Sequence, residues 1–249
     1  MSIQSAGREP GVPSEPGVAT RANQLLAMLP DADIERLRPA LEPVEMSART
    51  MLYPASGRID HAYFPLTGMA SMVASSGDGM TVEAASVAHE GMTGLPLFLG
   101  STSESLALVM QISGTAMRMR AATFMEEMDS RGALYGVMQR YTHFVMLAMA
   151  QTIVCNRLHS LASRAARWLL QSRDAVNGDE FGLTHEFFAT MLGVHRPSVT
   201  LAAGTLQSAG IITYRRGHVT ILDREALGDA SCECYGQLRT EYDRLLGPA

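Results

Sequence analysis

The stretch from Leu183 to Leu222, LTHEFFATMLGVHRPSVTLAAGTLQSAGIITYRRGHVTIL, limits the fold more than any other part of the chain. Two helices cross closely only under three conditions. A small residue must let the backbones approach, the turn must accept a positive φ, and the second helix must point a branched apolar residue at the core. Ala189, Gly193 and Val199 meet these needs in order. Phe188, Met191, Leu192 and Val194 complete the apolar face, Thr184 is suited to cap the first helix, and Glu186 favours its dipole. Pro197 falls in the first turn of the second helix, where a missing amide proton costs nothing. Ile211–Tyr214 and His218–Ile221 then flank Arg215-Arg216-Gly217, which predicts a two-stranded wing with a cationic tip. The plain alternative is a generic helical hairpin.

Charge favours a DNA-reading module over the plain hairpin. Residues 157–222 hold 7 Arg against 4 Asp and Glu, net +3, whereas the blocks before and after hold 10 against 15 and 3 against 6, within a total of -5. An acidic chain is no general polyanion binder, but a locally basic module suits a phosphate-facing surface. With 249 residues and 47% hydrophobic content, two domains are expected. The three cysteines, Cys155, Cys232 and Cys234, and the lack of an apolar leader predict a cytoplasmic, reduced protein.

Residues 1–21, rich in Gly, Pro and Ser, read as a disordered tail. Two short helices follow around Pro30, the second capped by Asp31 or Asp33. Residues 22–132 then form the first domain: short apolar runs such as HAYFPL, MASMVA, MTVEAASV and LALVMQI, separated by turn signals, predict an antiparallel β-barrel or jelly roll. A long helix is expected over residues 133–159, uncharged between Arg140 and Arg157 but too short and too polar for a membrane span. One side would face the barrel. The other would face a partner helix through Leu134, Val137, Tyr141, Phe144, Ala148, Gln151 and Cys155, which are spaced as in a coiled coil. The alternative is a core helix of a monomer. Residues 160–249 form the reader domain, opened by the amphipathic RAARWLLQSRD and closed by a C-terminal helix.

The order of tail, small β-barrel, long helix and winged helix-turn-helix makes this an α+β chain that resembles the Crp/Fnr family of bacterial transcription regulators. The likeness is strongest across LTHEFFATMLGVHRPSVT. It implies a homodimer that reads a palindrome in double-stranded DNA with its second helix in the major groove, with RNA polymerase as a further partner. By matching positions, His195, Arg196, Pro197, Ser198 and Leu201 face the DNA with Thr200 nearby, and Arg196 is the base reader, suited to a bidentate contact with guanine. Where the family commonly has an acidic residue and a second arginine, this chain has Pro197 and Leu201, so the familiar operator is not implied. His185, Arg215, Arg216 and His218 are phosphate candidates, with a solvated surface as the alternative.

EGMTGLPLFLGSTSESLALV resembles the family's phosphate-binding cassette with its chemistry replaced. Met92 follows Gly91 where a ribose-binding Glu is usual, and Glu104 precedes Ser105 where an Arg is usual. A carboxylate there repels a cyclic phosphate, so cyclic AMP is not expected. Gly91, Thr93, Gly94 and Ser105, with Met92 and Glu104, are either the lining of a site for another effector or parts of a turn. The N-terminal cysteines of iron–sulfur members have no counterpart before Cys155, so no such cluster is implied. Cys155 and His159 lie four apart, so on one helical face they could share a metal, and Cys232-Glu233-Cys234 is a tight CxC, but neither has four-ligand spacing. Cys155 reads as a packed thiol and the other two as solvent-near thiols, no metal site is expected, and a redox or metal switch is the alternative. Two other functions compete: a cupin-like metal-dependent barrel enzyme, for which His61 and His89-Glu90 are too sparse, and a ligand-binding module whose helix-turn-helix binds protein. No catalytic residues are predicted.

Overall fold

The computed structural model describes residues 20–247; the expected tail lies outside these except for Thr20 and Arg21. Helix α1 (Gln24–Ala27) is capped by Asn23, whose side-chain oxygen accepts from the amides of Leu25 and Leu26. Helix α2 (Asp31–Leu37) follows Pro30 directly. Asp31 and Asp33 sit in its first turn beside the positive end of the dipole instead of capping it by a side-chain hydrogen bond.

The β domain comprises β1 (Glu42–Met46), β2 (Met51–Tyr53), β3 (His61–Pro65), β4 (Met69–Ser75), β5 (Thr81–Val87), β6 (Ala107–Ile112) and β7 (Gly114–Arg120), with the short α3 (Leu95–Phe98) after β5. These form two antiparallel sheets, ordered β1-β7-β3 and β2-β6-β4-β5 and not closed into a barrel. Of the two forms expected, the jelly-roll one is seen. Strands such as β5 bury alternate residues, so each sheet has one inward face, and two facing sheets satisfy that pattern without closure. Phe64, Met92, Leu108, Met110 and Met119 fill the interior. Each fully buried side chain of this kind contributes about 1.5–3 kcal/mol relative to exposure.

Helix α4 (Ala121–Asp129) leads to the long α5 (Ala133–Leu158). The reader domain follows as α6 (Leu161–Val176), β8 (Glu180–Gly182), α7 (His185–Leu192), α8 (Arg196–Ser208), β9 (Ile212–Arg215), β10 (His218–Ile221), α9 (Arg224–Ala230) and α10 (Cys234–Leu246). Its core is centred on Trp168 and Phe188, and it also takes in Met69, Val73 and Ile112 from the four-stranded sheet and Ala88 just after β5. Helix α10 turns back onto α5, with the Phe144 and Tyr242 rings edge to face at 5.1 Å and Tyr242 Oη donating to the Glu90 carbonyl at 2.9 Å.

This return corrects the expected partner face of α5. Leu134, Val137, Tyr141 and Cys155 are buried within the chain itself, Phe144 is half-buried against Tyr242, and Gln151 donates to Cys234 Sγ. Ala148 lines a cleft that α10 also borders. The free face carries His143, Met146, Ala150, Ile153 and Arg157, also at alternating three- and four-residue spacing. It lies two residues further along, about 200° around the helix. Met146, Ile153 and Leu158 are 65%, 71% and 73% exposed.

Where the reader meets the β domain, Glu83 is buried and its carboxylate accepts from Ser71 Oγ at 2.6 Å and from Gln111 Nε2. Burial pushes its pKa up, against the two hydrogen bonds and the charge of Arg167. A carboxyl whose folded pKa is raised costs stability once the pH exceeds its unfolded value, 4.5. Glu83→Gln keeps an acceptor for both donors and removes the charge. Its thermal midpoint should rise relative to wild type at pH 8 and match it at about pH 4; a lower midpoint at pH 8 would show that Arg167 stabilises the ionised form.

Candidate nucleic-acid interface

Helices α7 and α8 form the helix-turn-helix as read from sequence. Thr184 Oγ1 accepts from the Phe187 amide at 3.2 Å and caps α7, and the turn passes through Gly193 in the left-handed region at φ 63°. Glycine is needed here for a second reason: a Cβ would stand 2.8 Å from Val82 Cγ2 of β5. Arg164 Nη2 donates to the carbonyl of Leu192, the last residue of α7, at 2.5 Å. Sequence reading missed Arg164, because an arginine on the buried side of RAARWLL carries no signal of its partner.

Helix α8 is two-sided. Val199, Ala202, Ala203 and Leu206 are buried, whereas His195, Arg196, Pro197, Thr200 and Leu201 are exposed, Leu201 at 74%; Ser198 is half-buried at the margin. The wing has three strands, not two, in the order β8-β10-β9. The extra strand is Glu180–Gly182, which buries Phe181 and pairs with His218–Thr220. It was too short to stand out beside the Asn177-Gly178 turn. Arg216 and Gly217 form the tip, both at positive φ, and Arg215, Arg216 and His218 are exposed there. No salt bridge to Arg196, Arg215 or Arg216 is found among the described residues.

His185 is differently placed from a free phosphate contact. Its Nδ1 lies 3.0 Å from Thr200 Oγ1 and its ring 4.3 Å from that of Tyr214, so it packs between the recognition helix and the wing. Tyr214, also missed from sequence, is held by its Oη donating to the Leu183 carbonyl at 2.6 Å and its amide donating to Gln207 Oε1 at 3.0 Å.

The cassette residues turn inward. Tyr141 Oη donates to the Met92 carbonyl at 3.0 Å and stands where a Cβ on Gly91 would fall, 2.4 Å away. Thr93 pairs with Tyr63, and the Gly94 amide donates to Tyr53 Oη at 2.9 Å. Glu104 Oε1 accepts from the Leu106 amide at 3.1 Å, and Ser105 is exposed. A cleft of about 390 Å³ lies elsewhere, between the sheet, α5, α6 and α10, with Glu83, Glu90, Arg167 and Arg173 on its walls. The expectation for the cysteines is revised: Cys155, His159, Cys232 and Cys234 converge behind the reader, their ligand atoms all within 4.8 Å of one another. Spacing kept the two pairs apart because 77 residues separate Cys155 from Cys232.

Residues 163–230 match the family model of the Crp-like helix-turn-helix domain. The fold agrees along most of the chain. A candidate transcriptional regulator of the Crp/Fnr family from Eubacterium rectale is 18% identical, with a TM-score of 0.66 over 84% of this chain and 98% of that one. FixK2 from Bradyrhizobium japonicum is 16% identical, with a TM-score of 0.64 over 77% of this chain and 98% of its own. The c-di-GMP responsive global regulator CLP of Xanthomonas campestris is 16% identical, with a TM-score of 0.60 over 77% and 99%. The chain carries a Crp-like helix-turn-helix domain on the Crp/Fnr fold. No curated protein matches it.

Within this domain His185 offers a test of the packing between helix and wing. Burial lowers its pKa from the ordinary 6.5, and the charge of Arg196 lowers it further. The unfolded chain therefore takes up the proton first, and stability is lost as the pH falls below about 6.5. In urea unfolding, wild type should lose more stability than His185→Gln between pH 7.5 and 5; parallel losses would show that the ring is not held neutral.

Proposed function

We propose that the protein is a sequence-specific, DNA-binding transcription regulator of the Crp/Fnr type that acts as a homodimer on a palindromic site. The observation that carries this is the two-sidedness of α8, whose outward side presents Arg196, Pro197, Thr200 and Leu201 beside the unpaired Arg215 and Arg216. Arg196 reads guanine by two parallel hydrogen bonds, Leu201 meets a thymine methyl, and the wing arginines and His218 hold phosphates. His195 and Ser198 lie at the start of the same helix, within reach of the backbone.

Pairing of two chains is assigned to the exposed stripe of α5, where Met146, Ile153 and Leu158 have no cover among the described residues. Such a regulator works beside RNA polymerase in the cytoplasm. No described helix is long and apolar enough to cross a membrane. Gly91, Met92, Thr93, Glu104 and Ser105 contribute through packing and turn geometry, which supports either a fixed scaffold or an effector other than cyclic AMP bound elsewhere. The cupin alternative is not favoured: among the described residues His61, His89 and Glu90 belong to no converging ligand group.

Selection from a random DNA pool should return a palindrome. Arg196→Ala should weaken specific binding by about 1–3 kcal/mol and relax discrimination at one base pair per half-site. An equal loss on random DNA would remove it as a base reader, and absence of salt-dependent DNA affinity would favour a protein-binding helix-turn-helix. Ile153→Glu places a charge in the proposed seam. Sedimentation should show it as a monomer with much reduced affinity for the full palindrome; an unchanged dimer would move the interface elsewhere.

A further inference from the structure

Cys155 and His159 are one helical turn apart at the end of α5, and Cys232 and Cys234 flank Glu233 in the turn from α9 into α10. Cys155 Sγ lies 3.5 Å from Cys232 Sγ, and Cys234 Sγ lies 3.4 Å from His159 Nδ1. Around a tetrahedral ion held by thiolates and an imidazole, neighbouring ligand atoms stand roughly 3.5–3.8 Å apart. The four groups are therefore within small side-chain adjustments of that geometry, and all three thiols are buried.

The surroundings fit the same chemistry. Glu233 Oε1 lies 3.0 Å from His159 Nε2, so a proton on Nε2 leaves the Nδ1 lone pair facing the sulfurs. This is the carboxylate–imidazole arrangement that orients a ligating histidine. Gln151 Nε2 donates to Cys234 Sγ at 3.0 Å, a bond that favours the thiolate. Three thiolates, a neutral imidazole and a divalent cation leave one net negative charge. Arg164, only 8% exposed, forms no salt bridge among the described residues and has a buried Nε without a hydrogen-bond partner. A buried cation of this kind is costly unless an opposite charge lies near it.

We propose that Cys155, His159, Cys232 and Cys234 form a four-coordinate site for a zinc-class divalent cation. Binding releases the three thiol protons to solvent as three metal–sulfur bonds form, and His159 supplies its Nδ1 lone pair, so no oxidant or reductant is required. The ion ties the C-terminal end of α5 to the corner between α9 and α10. The same corner backs Arg164, whose guanidinium holds the Leu192 carbonyl beside the helix-turn-helix turn. Occupancy therefore sets the elbow at His159–Ser160, where the chain leaves α5 for the reader. The ligand set stands whether or not the domain reads DNA.

The test uses the full chain, reduced, chelated and titrated with cobalt(II), then with zinc. The expected result is one ion per chain, with thiolate-to-cobalt charge transfer and the intense visible bands of a tetrahedral site, displaced by zinc. Cys232→Ser with Cys234→Ser should abolish uptake, and Glu233→Gln should weaken it roughly 10- to 100-fold. Glu233 is exposed, so that variant tests the site even if the double cysteine variant does not fold. No stoichiometric uptake by wild type, a weak octahedral spectrum, or a Cys155–Cys232 disulfide forming equally fast with and without zinc would overturn the assignment.

Discussion

Helix α10 lies back along α5, and most of the molecule's arrangement depends on that contact. It is made by Tyr242 against Phe144, by Leu246 in the core shared with the β domain, and by Tyr242 Oη on the Glu90 carbonyl. Three consequences follow. One long side of α5 is covered, so an apolar stripe is left only on the other. The cleft bordered by Glu90 and Arg167 acquires its outer wall. The start of α10 is carried to the end of α5, so that residues near opposite ends of the reader sequence share one cluster of sulfurs and an imidazole.

A second constraint is the packing of the reader on the four-stranded sheet. Gly193 leaves no room for a Cβ beside Val82, and the core of Trp168 and Phe188 continues into Met69 and Ile112. The buried Glu83, hydrogen-bonded to Ser71 and Gln111, lies at this join. A shift of the helix-turn-helix domain relative to the β domain would have to give up that burial.

The loop that resembles the phosphate-binding cassette is fixed by packing and turn geometry. Its glycines remain because the chain geometry needs them: Gly91 gives way to Tyr141 of α5, and Gly94 sits at φ 92°. Met92 lies in the core, and Glu104 accepts from the Leu106 amide within a local turn.

Local physics made much of the chain readable from its residues. The helix-turn-helix followed from Thr184, Gly193, Pro197 and the spacing of Val199. The cationic wing tip followed from Arg215-Arg216-Gly217, and the β domain from alternating runs and turns. All of these act within a few residues of one another, where capping, φ preference and periodicity operate. Other features depended on contacts distant in sequence. The coiled-coil spacing on α5 fits two opposite faces equally, and the β domain along its first half and α10 along its second decide which one is covered. The sequence offers His185 as a phosphate contact, and only the structure shows its Nδ1 beside Thr200 Oγ1 and its ring against Tyr214. Cys155 and His159 carried half of a ligand set and Cys232 and Cys234 the other half, and no spacing rule joins residues 77 apart. The sequence by itself determined the elements and the reader; the tertiary structure decided which faces are spent and which groups meet, because burial and ligand geometry depend on distances in space, not along the chain.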